Sequence, residues 1–227
     1  PYQIKRFKKE FPRLEIEASV IMNLDTYTKI EKILSGGVNV VNIPLDLNRN
    51  AKELGKIAGL KRRYPRFRIK LLANHICFYG CPFTQFHYFL SEVKEVFKPK
   101  EGRSQDFERC VFYPFNLEDL EELISRPFIR PEDISFYKEK GYADIFKLCF
   151  RTNETPVLRK TVFSYLKESY DGNLLDIITN HGKPLRLYWD NKRFPQGFIE
   201  KVTGCDKSRC KECKYCRGVS KKVFGKI

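Results

Sequence analysis

The sequence predicts an α/β fold: a partial TIM-like (β/α) barrel followed by a Cys-rich C-terminal tail. Three observations predict it. Apolar, β-rich segments alternate with helical ones. The β-rich segments lack a clean two-residue alternation, as expected of strands covered on both faces of a parallel sheet. Four of the eight cysteines crowd into the last part of the chain, where no core-forming pattern is visible. Alternating strand and helix implies βαβ units with right-handed crossovers.

Strands are predicted at 15–22, 38–45, 67–74, 109–113, 127–130 and 144–150. Helices lie between them. Tyr27, Ile30, Ile33 and Leu34 fall on one helical face, and Leu158, Val162, Tyr165 and Leu166 on another. Asn116 is suited to cap a helix with Asp119 three residues on. Pro131 and Pro156 suit first helical positions, the latter after a Thr155 cap. Gly36 and Gly37 end a helix cheaply, because glycine accepts the left-handed conformation. About five or six βα units are legible, fewer than the eight of a closed barrel. The chain does not begin with methionine, and Met22 is its only one. It is therefore expected to start inside a longer protein that supplies the remaining elements. The expected organisation is a barrel portion over 1–181, an irregular connector over 182–204 bearing the only tryptophan, Trp189, and a metal-binding tail over 205–227.

Hydrophobic residues are 42% of the chain and aromatics 14%, which allows a real core and excludes a disordered chain. No run of about 18 apolar residues suggests a membrane span. The formal charge of +15 favours polyanionic partners, RNA above all, against the plainer reading of a solvated basic surface. Basic residues cluster at Lys61, Arg62, Arg63, Arg66, Arg68 and Lys70, and again around the terminal cysteines. A chain this long needs no disulfide staples, so the cysteines are expected to bind metal in a cytoplasmic protein.

The central motif is Asn74-His75-Ile76-Cys77-Phe78-Tyr79-Gly80-Cys81-Pro82, placed after a predicted strand and before a predicted helix. In a βα-barrel that is the C-terminal rim, where active sites lie. Cys77 and Cys81, with Gly80 between them, let the backbone wrap one metal centre; the competing reading is a pair of buried thiols. His87 is a candidate to ligate or to protonate substrate, or else a backbone-bonded histidine. His75 is open in the same way. Arg130, Glu132, Asp133, Lys147 and Arg151 are expected at strand ends facing a barrel mouth, to hold an anionic substrate or offset cluster charge, or merely to form ion pairs. The tail carries Cys205, Cys210, Cys213 and Cys216. Their spacing suits a tetrahedral zinc site or a cubane. No Gly-x-Ser-x-Gly elbow or His-Glu-x-x-His helix is present.

These motifs resemble the U-thirty-two family of collagenase-like peptidases. Asn74-x-x-Cys77-x-x-x-Cys81-Pro82 followed by His87 carries the likeness. So do Asn48-Arg49 after a strand, Arg130-Pro131-Glu132-Asp133, and Phe146-Lys147-Leu148-Cys149-Phe150-Arg151-Thr152. The tail's Cys213-Lys214-Tyr215-Cys216 is similar to the ending of one branch. The resemblance runs from about residue 15 to 220. It implies a barrel carrying a 4Fe–4S cluster, and relatives that are oxygen-independent hydroxylases acting on RNA or a quinone precursor. It also implies a third cluster cysteine near Cys110, so that Cys77, Cys81 and Cys110 are expected ligands, with Cys149 or a tail cysteine as the fourth. His87, Arg130, Lys147 and Arg151 are the expected substrate-orienting residues. An electron-donor protein or a paralogous subunit is the expected partner besides RNA. Two positions depart from the family pattern: Thr84 stands where arginine is frequent, and Cys149 lies near a usual glycine. Two other readings stay open, a collagenase-like peptidase and a non-catalytic RNA-binding protein with structural zinc.

Overall fold

The structure, a computed structural model, describes residues 2–86, 88, 120–149, 151, 153–178, 187–210 and 212–226. Helix α1 (Tyr2–Glu10) precedes β1 (Glu17–Ala18), α2 (Tyr27–Leu34), β2 (Val40–Asn42), α3 (Ala51–Gly59) and β3 (Arg68–Leu72). Then follow α4 (Leu120–Ser125), α5 (Ile134–Glu139), β4 (Ile145–Lys147), α6 (Thr155–Leu166) and α7 (Leu175–Ile178). The chain closes with β5 (Leu187–Trp189), α8 (Phe198–Thr203), α9 (Tyr215–Val223) and β6 (Phe224–Lys226).

Strands β1 to β4 form one parallel sheet in sequence order. Register pairs Glu17 with Val40, Val41 with Ile69, and Leu71 with Phe146. The α/β prediction is met: the described residues give a four-stranded parallel sheet flanked by helices. The predicted strand at 109–113 and the Asn116 cap lie outside the described residues. Among the described residues no helix is long and apolar enough to cross a membrane.

Local sequence explains the elements. Thr26 caps α2 by accepting from the Lys29 amide, and Ile30, Ile33 and Leu34 form its buried stripe. Gly37 ends α2 at φ +104°, where a Cβ would also meet the Lys8 side chain at 2.7 Å. Asn50 caps α3 through the Glu53 amide, and Leu54 and Ile57 are fully buried beneath it. Successive residues of a strand point to opposite faces. Ile69 and Leu71 thus enter the helix-covered core. The other face of β3 carries Arg68 and Lys70, which pair with Glu15 and Glu17, while Asn42 of β2 donates to Glu17 at 2.7 Å. This corrects the expectation of strands apolar on both sides. One face is an ionic row that becomes apolar at its C-terminal end with Leu72.

Three other expectations change. The 127–130 segment is not a ladder strand. Phe128 and Ile129 are fully buried, and the Ile129 amide donates to the Ala73 carbonyl at 2.9 Å. The carbonyls of Pro127 and Phe128 are taken by the side chains of Asn48 and Arg49, which replace a neighbouring strand. Helix α6 buries Thr161, Ser164 and Tyr165, whereas Leu166 is 74% exposed and Val162 43%. Thr161 and Ser164 can be buried because each hydroxyl donates to a carbonyl one turn back. Tyr165 docks the helix by donating its hydroxyl to the Ile129 carbonyl at 2.6 Å. Thr155 is the first residue of the helix, with Glu154 at the cap.

The region read as an irregular connector contains β5 and α8. Strand β5 pairs antiparallel with β6, so residues 187–189 and 224–226 form one hairpin-like ladder. Trp189 is fully buried, edge-on to Phe128 at 4.9 Å and beside Phe224 at 5.0 Å. Helix α9 lies on α4, where Arg217 grips Glu121 with two bonds of 2.6 and 3.1 Å.

Tyr165→Phe keeps the ring but orphans the Ile129 carbonyl. It is expected to destabilise the fold by about 1–2 kcal/mol, measured as a lower urea midpoint with unchanged slope. An unchanged midpoint contradicts this docking role.

Candidate metal centre

The C-terminal ends of β2, β3 and β4 meet at one rim, and three buried polar side chains hold it. Asn48, fully buried in the turn after β2, donates to the carbonyls of Leu72 and Pro127 at 2.7 and 2.9 Å. Arg49, 1% exposed, donates to the carbonyls of Ile124 and Phe128 and lies over the Phe128 ring at 4.5 Å. Asn74, 1% exposed, accepts from the Cys149 amide at 2.6 Å and donates to the Ile177 carbonyl at 3.0 Å. A strand end leaves backbone groups without ladder partners, and buried amides are the side chains that can satisfy donor and acceptor together.

The thiols stand on this rim. Leu72 follows Lys70 by two residues and shares its face. The register sets Lys70 opposite Ile145 and Leu72 opposite Lys147, so Lys147 and Cys149 project on that same face. Cys77 and Cys149 pack with Tyr88 against one small cluster of Val20, Leu45 and Leu72. Burial pushes the Cys149 thiol up to about 11, opposed by the charge of Lys147. Burial likewise raises Tyr88 to about 12, with Cys77, Cys149 and Asp46 adding to the effect. Cys81 is nearly buried at the start of a turn in which Thr84 donates amide and hydroxyl to its carbonyl. Gly80, at φ +65°, aims its amide at the Asp46 carboxylate at 3.0 Å, which fixes the loop between the two cysteines. Burial raises the pKa of Asp46, while the Gly80 bond and Lys207 oppose it.

The expected residues are not all gathered. Lys147 reaches the rim beside Cys149 and is exposed, as is Arg151. Arg130 is 8% exposed and committed: its guanidinium grips Asp133 at 2.6 and 3.1 Å and lies over Phe194 at 4.4 Å. Glu132 accepts from Asn191 and from the Tyr170 amide, tying the residues after β5 to the turn before α5. His87 and Cys110 lie outside the described residues. Burial pushes His75 down to about 4, which keeps it neutral at physiological pH. Among the described residues no three ligating side chains are drawn together as a formed metal site.

The tail approaches the same rim. Lys207 donates to the Arg49 carbonyl at 3.0 Å, and its ammonium lies 3.8 Å from the centre of the Tyr79 ring, inside the Cys77–Cys81 loop. Tyr79 is in turn within electrostatic range of Cys205 and Asp46. In the sequence Asn48, Arg49 and Asn74 stand out only as motif letters, Lys207 only as one of the basic residues around the terminal cysteines, and Asp46 not at all. Asp and Asn directly after apolar strands are ordinary turn residues, so their buried roles left no distinct sequence signal.

The chain resembles a known protein across most of its length. It is 28% identical over 212 residues to an uncharacterized protease of Methanocaldococcus jannaschii. The match covers 93% of this chain and 61% of the relative, so the chain spans about three-fifths of that protein. No protein-family model matches, and no solved structure matches.

Asn74→Leu removes both anchors of the β3–β4 rim while keeping the branched side-chain shape. The expected loss is about 2–4 kcal/mol, since two backbone groups lose buried partners. Hydrogen exchange at the Cys149 amide should rise with it. Exchange equal to the parent protein's would show that Asn74 does not position Cys149.

Proposed function

We propose that this chain is the barrel portion of an iron–sulfur enzyme of the type its resemblance to the U-thirty-two family implies. Its 4Fe–4S cluster is held by Cys77, Cys81, Cys110 and Cys149, and its reaction is an oxygen-independent hydroxylation of RNA or of a small molecule. The observation that carries this reading is the packing of Cys77 and Cys149, from the ends of adjacent strands, against one patch beneath the rim. Soft thiolates at a half-buried strand-end site are the donor set an iron–sulfur cluster takes, and binding ionises thiols that burial otherwise keeps protonated. Cys77 and Cys149, the two thiols on one patch, fit the group in donor type.

When bound, the cluster supplies single electrons at the rim. The chain's own residues do the rest. Asn74 fixes the backbone of Cys149. Asp46 fixes the Cys77–Cys81 loop through Gly80. Lys147 and Arg151 offer exposed positive charge for an anionic substrate, while Arg130 acts through Asp133 as a brace behind them. The (β/α)-barrel reading is supported by the ionic row on the sheet face that carries the thiols, because one inward-facing layer of a barrel can hold paired charges away from the helices. The charge of +15 supports RNA as substrate.

A peptidase is the second reading, favoured by the name of the Methanocaldococcus jannaschii relative. Iron and acid-labile sulfide per chain, after purification without air, separate the two. About four of each are expected at this site, lost together in Cys77→Ser/Cys149→Ser. Parent protein without iron and sulfide, or a double variant whose iron and sulfide equal the parent's, would falsify the cluster assignment. Gelatin hydrolysis that survives in the colourless double variant would replace it with the peptidase.

A further inference from the structure

Outside the strand-end site, the segment 205–216 presents a second set of thiols. Cys205, Cys210 and Cys213 are exposed, and Cys216 is half-buried against the core. They are spaced Cys205-x4-Cys210-x2-Cys213-x2-Cys216, and Cys216 lies within electrostatic range of the other three, although no three of them are drawn together as a formed site among the described residues. The backbone between them is wound. Lys207 takes the left-handed conformation at φ +62°, Asp206 accepts from the Ser208 amide and hydroxyl, and the amides of Glu212 and Cys213 both donate to the Arg209 carbonyl. The Cys210 thiol bonds back to the Lys207 carbonyl at 3.4 Å. The segment contributes no apolar side chain to the core before Tyr215. A twelve-residue winding with four thiols and without apolar filling lacks the core burial that would hold it, and a metal that draws the thiols together supplies folding energy instead.

Its surroundings are positively charged. Arg49 is a fully desolvated cation, and no carboxylate among the described residues is within ion-pair distance of it; carbonyls and aromatic rings supply its contacts. Asp133, which it feels at longer range, is already engaged by Arg130. Cys216 is the chargeable tail group near Arg49, and Lys207 sits within range of Cys205 and Cys210. A buried cation needs a compensating anion. Four thiolates around a divalent ion, or around a cubane core of charge 2+, carry a net charge of about −2 and supply it.

We propose that Cys205, Cys210, Cys213 and Cys216 form a second metal centre, a tetrathiolate dianion separate from the strand-end site, whose charge is balanced by Arg49 and Lys207. Through Lys207 and Tyr79 this centre pins the Cys77–Cys81 loop from above. The site is independent of the strand-end cluster and stands if that cluster assignment fails.

Cobalt(II) titration of the full-length metal-free chain, followed by absorption, tests this directly. The expected result is one strong set of sulfur-to-cobalt charge-transfer bands with tetrahedral visible bands. Those bands should persist in Cys77→Ser/Cys149→Ser and vanish in Cys210→Ser/Cys213→Ser. Lys207→Gln removes no ligand and should weaken cobalt binding about tenfold or more, as outer-shell charges do. Metal content of the protein as purified then assigns the resident centre: zinc alone identifies a mononuclear site, and iron with sulfide beyond that of the strand-end cluster identifies a cubane. Bands unchanged in the tail double variant, or absent from the parent chain, overturn the proposal. A far-UV spectrum matching the parent guards against loss through misfolding. A Lys207→Gln chain with parental affinity overturns the charge-balance part.

Discussion

Everything at the functional rim depends on buried side chains bonding to strand-end backbone. Parallel strands stop abruptly, and their last carbonyls and amides need partners that the ladder no longer gives. Asn48, Arg49 and Asn74 provide them, each nearly or fully buried. Together they tie the turn after β2 to β3 and to the 127–130 segment, and the end of β3 to the residues after β4. The thiols inherit their positions from those bonds. An unpaired buried amide costs about 1–3 kcal/mol, so the rim is held more firmly than an ordinary loop.

The same constraint separates bracing residues from reactive ones. Arg130 and Asp133 form a buried, bidentate pair beneath Phe194, and Arg49 is enclosed by carbonyls and rings. Neither guanidinium is offered to solvent. Lys147 and Arg151 are exposed, and Lys207 reaches over the rim from the tail. Positive charge is thus layered, with fixed cations under the rim and accessible ones above it.

Much of this was legible in the sequence because it is local. Strands β1 to β4 fall inside the predicted 15–22, 38–45, 67–74 and 144–150, and the turn after β3 holds Cys77 and Cys81 as the motif suggested. Cap positions were less legible: Thr155 is the first residue of α6 and not its cap, while Thr26 and Asn50 cap α2 and α3. What was not legible depends on distant pairing. The 127–130 segment looked like a strand because it is apolar, but its partners are side chains 79 residues earlier. The buried face of α6 was misjudged because Thr161 and Ser164 hide their hydroxyls within their own helix. Lys207 could not be connected with Arg49 across 158 residues without the fold.

The central claim is that thiols from the ends of separate strands share one redox-active centre. Electron paramagnetic resonance of the dithionite-reduced, anaerobically purified protein tests it most directly. The account predicts a fast-relaxing, spin-one-half iron–sulfur signal at low temperature that disappears when Cys149 alone is replaced by serine. A reduced protein that is silent in every spin state, or a signal indifferent to Cys149, would contradict it.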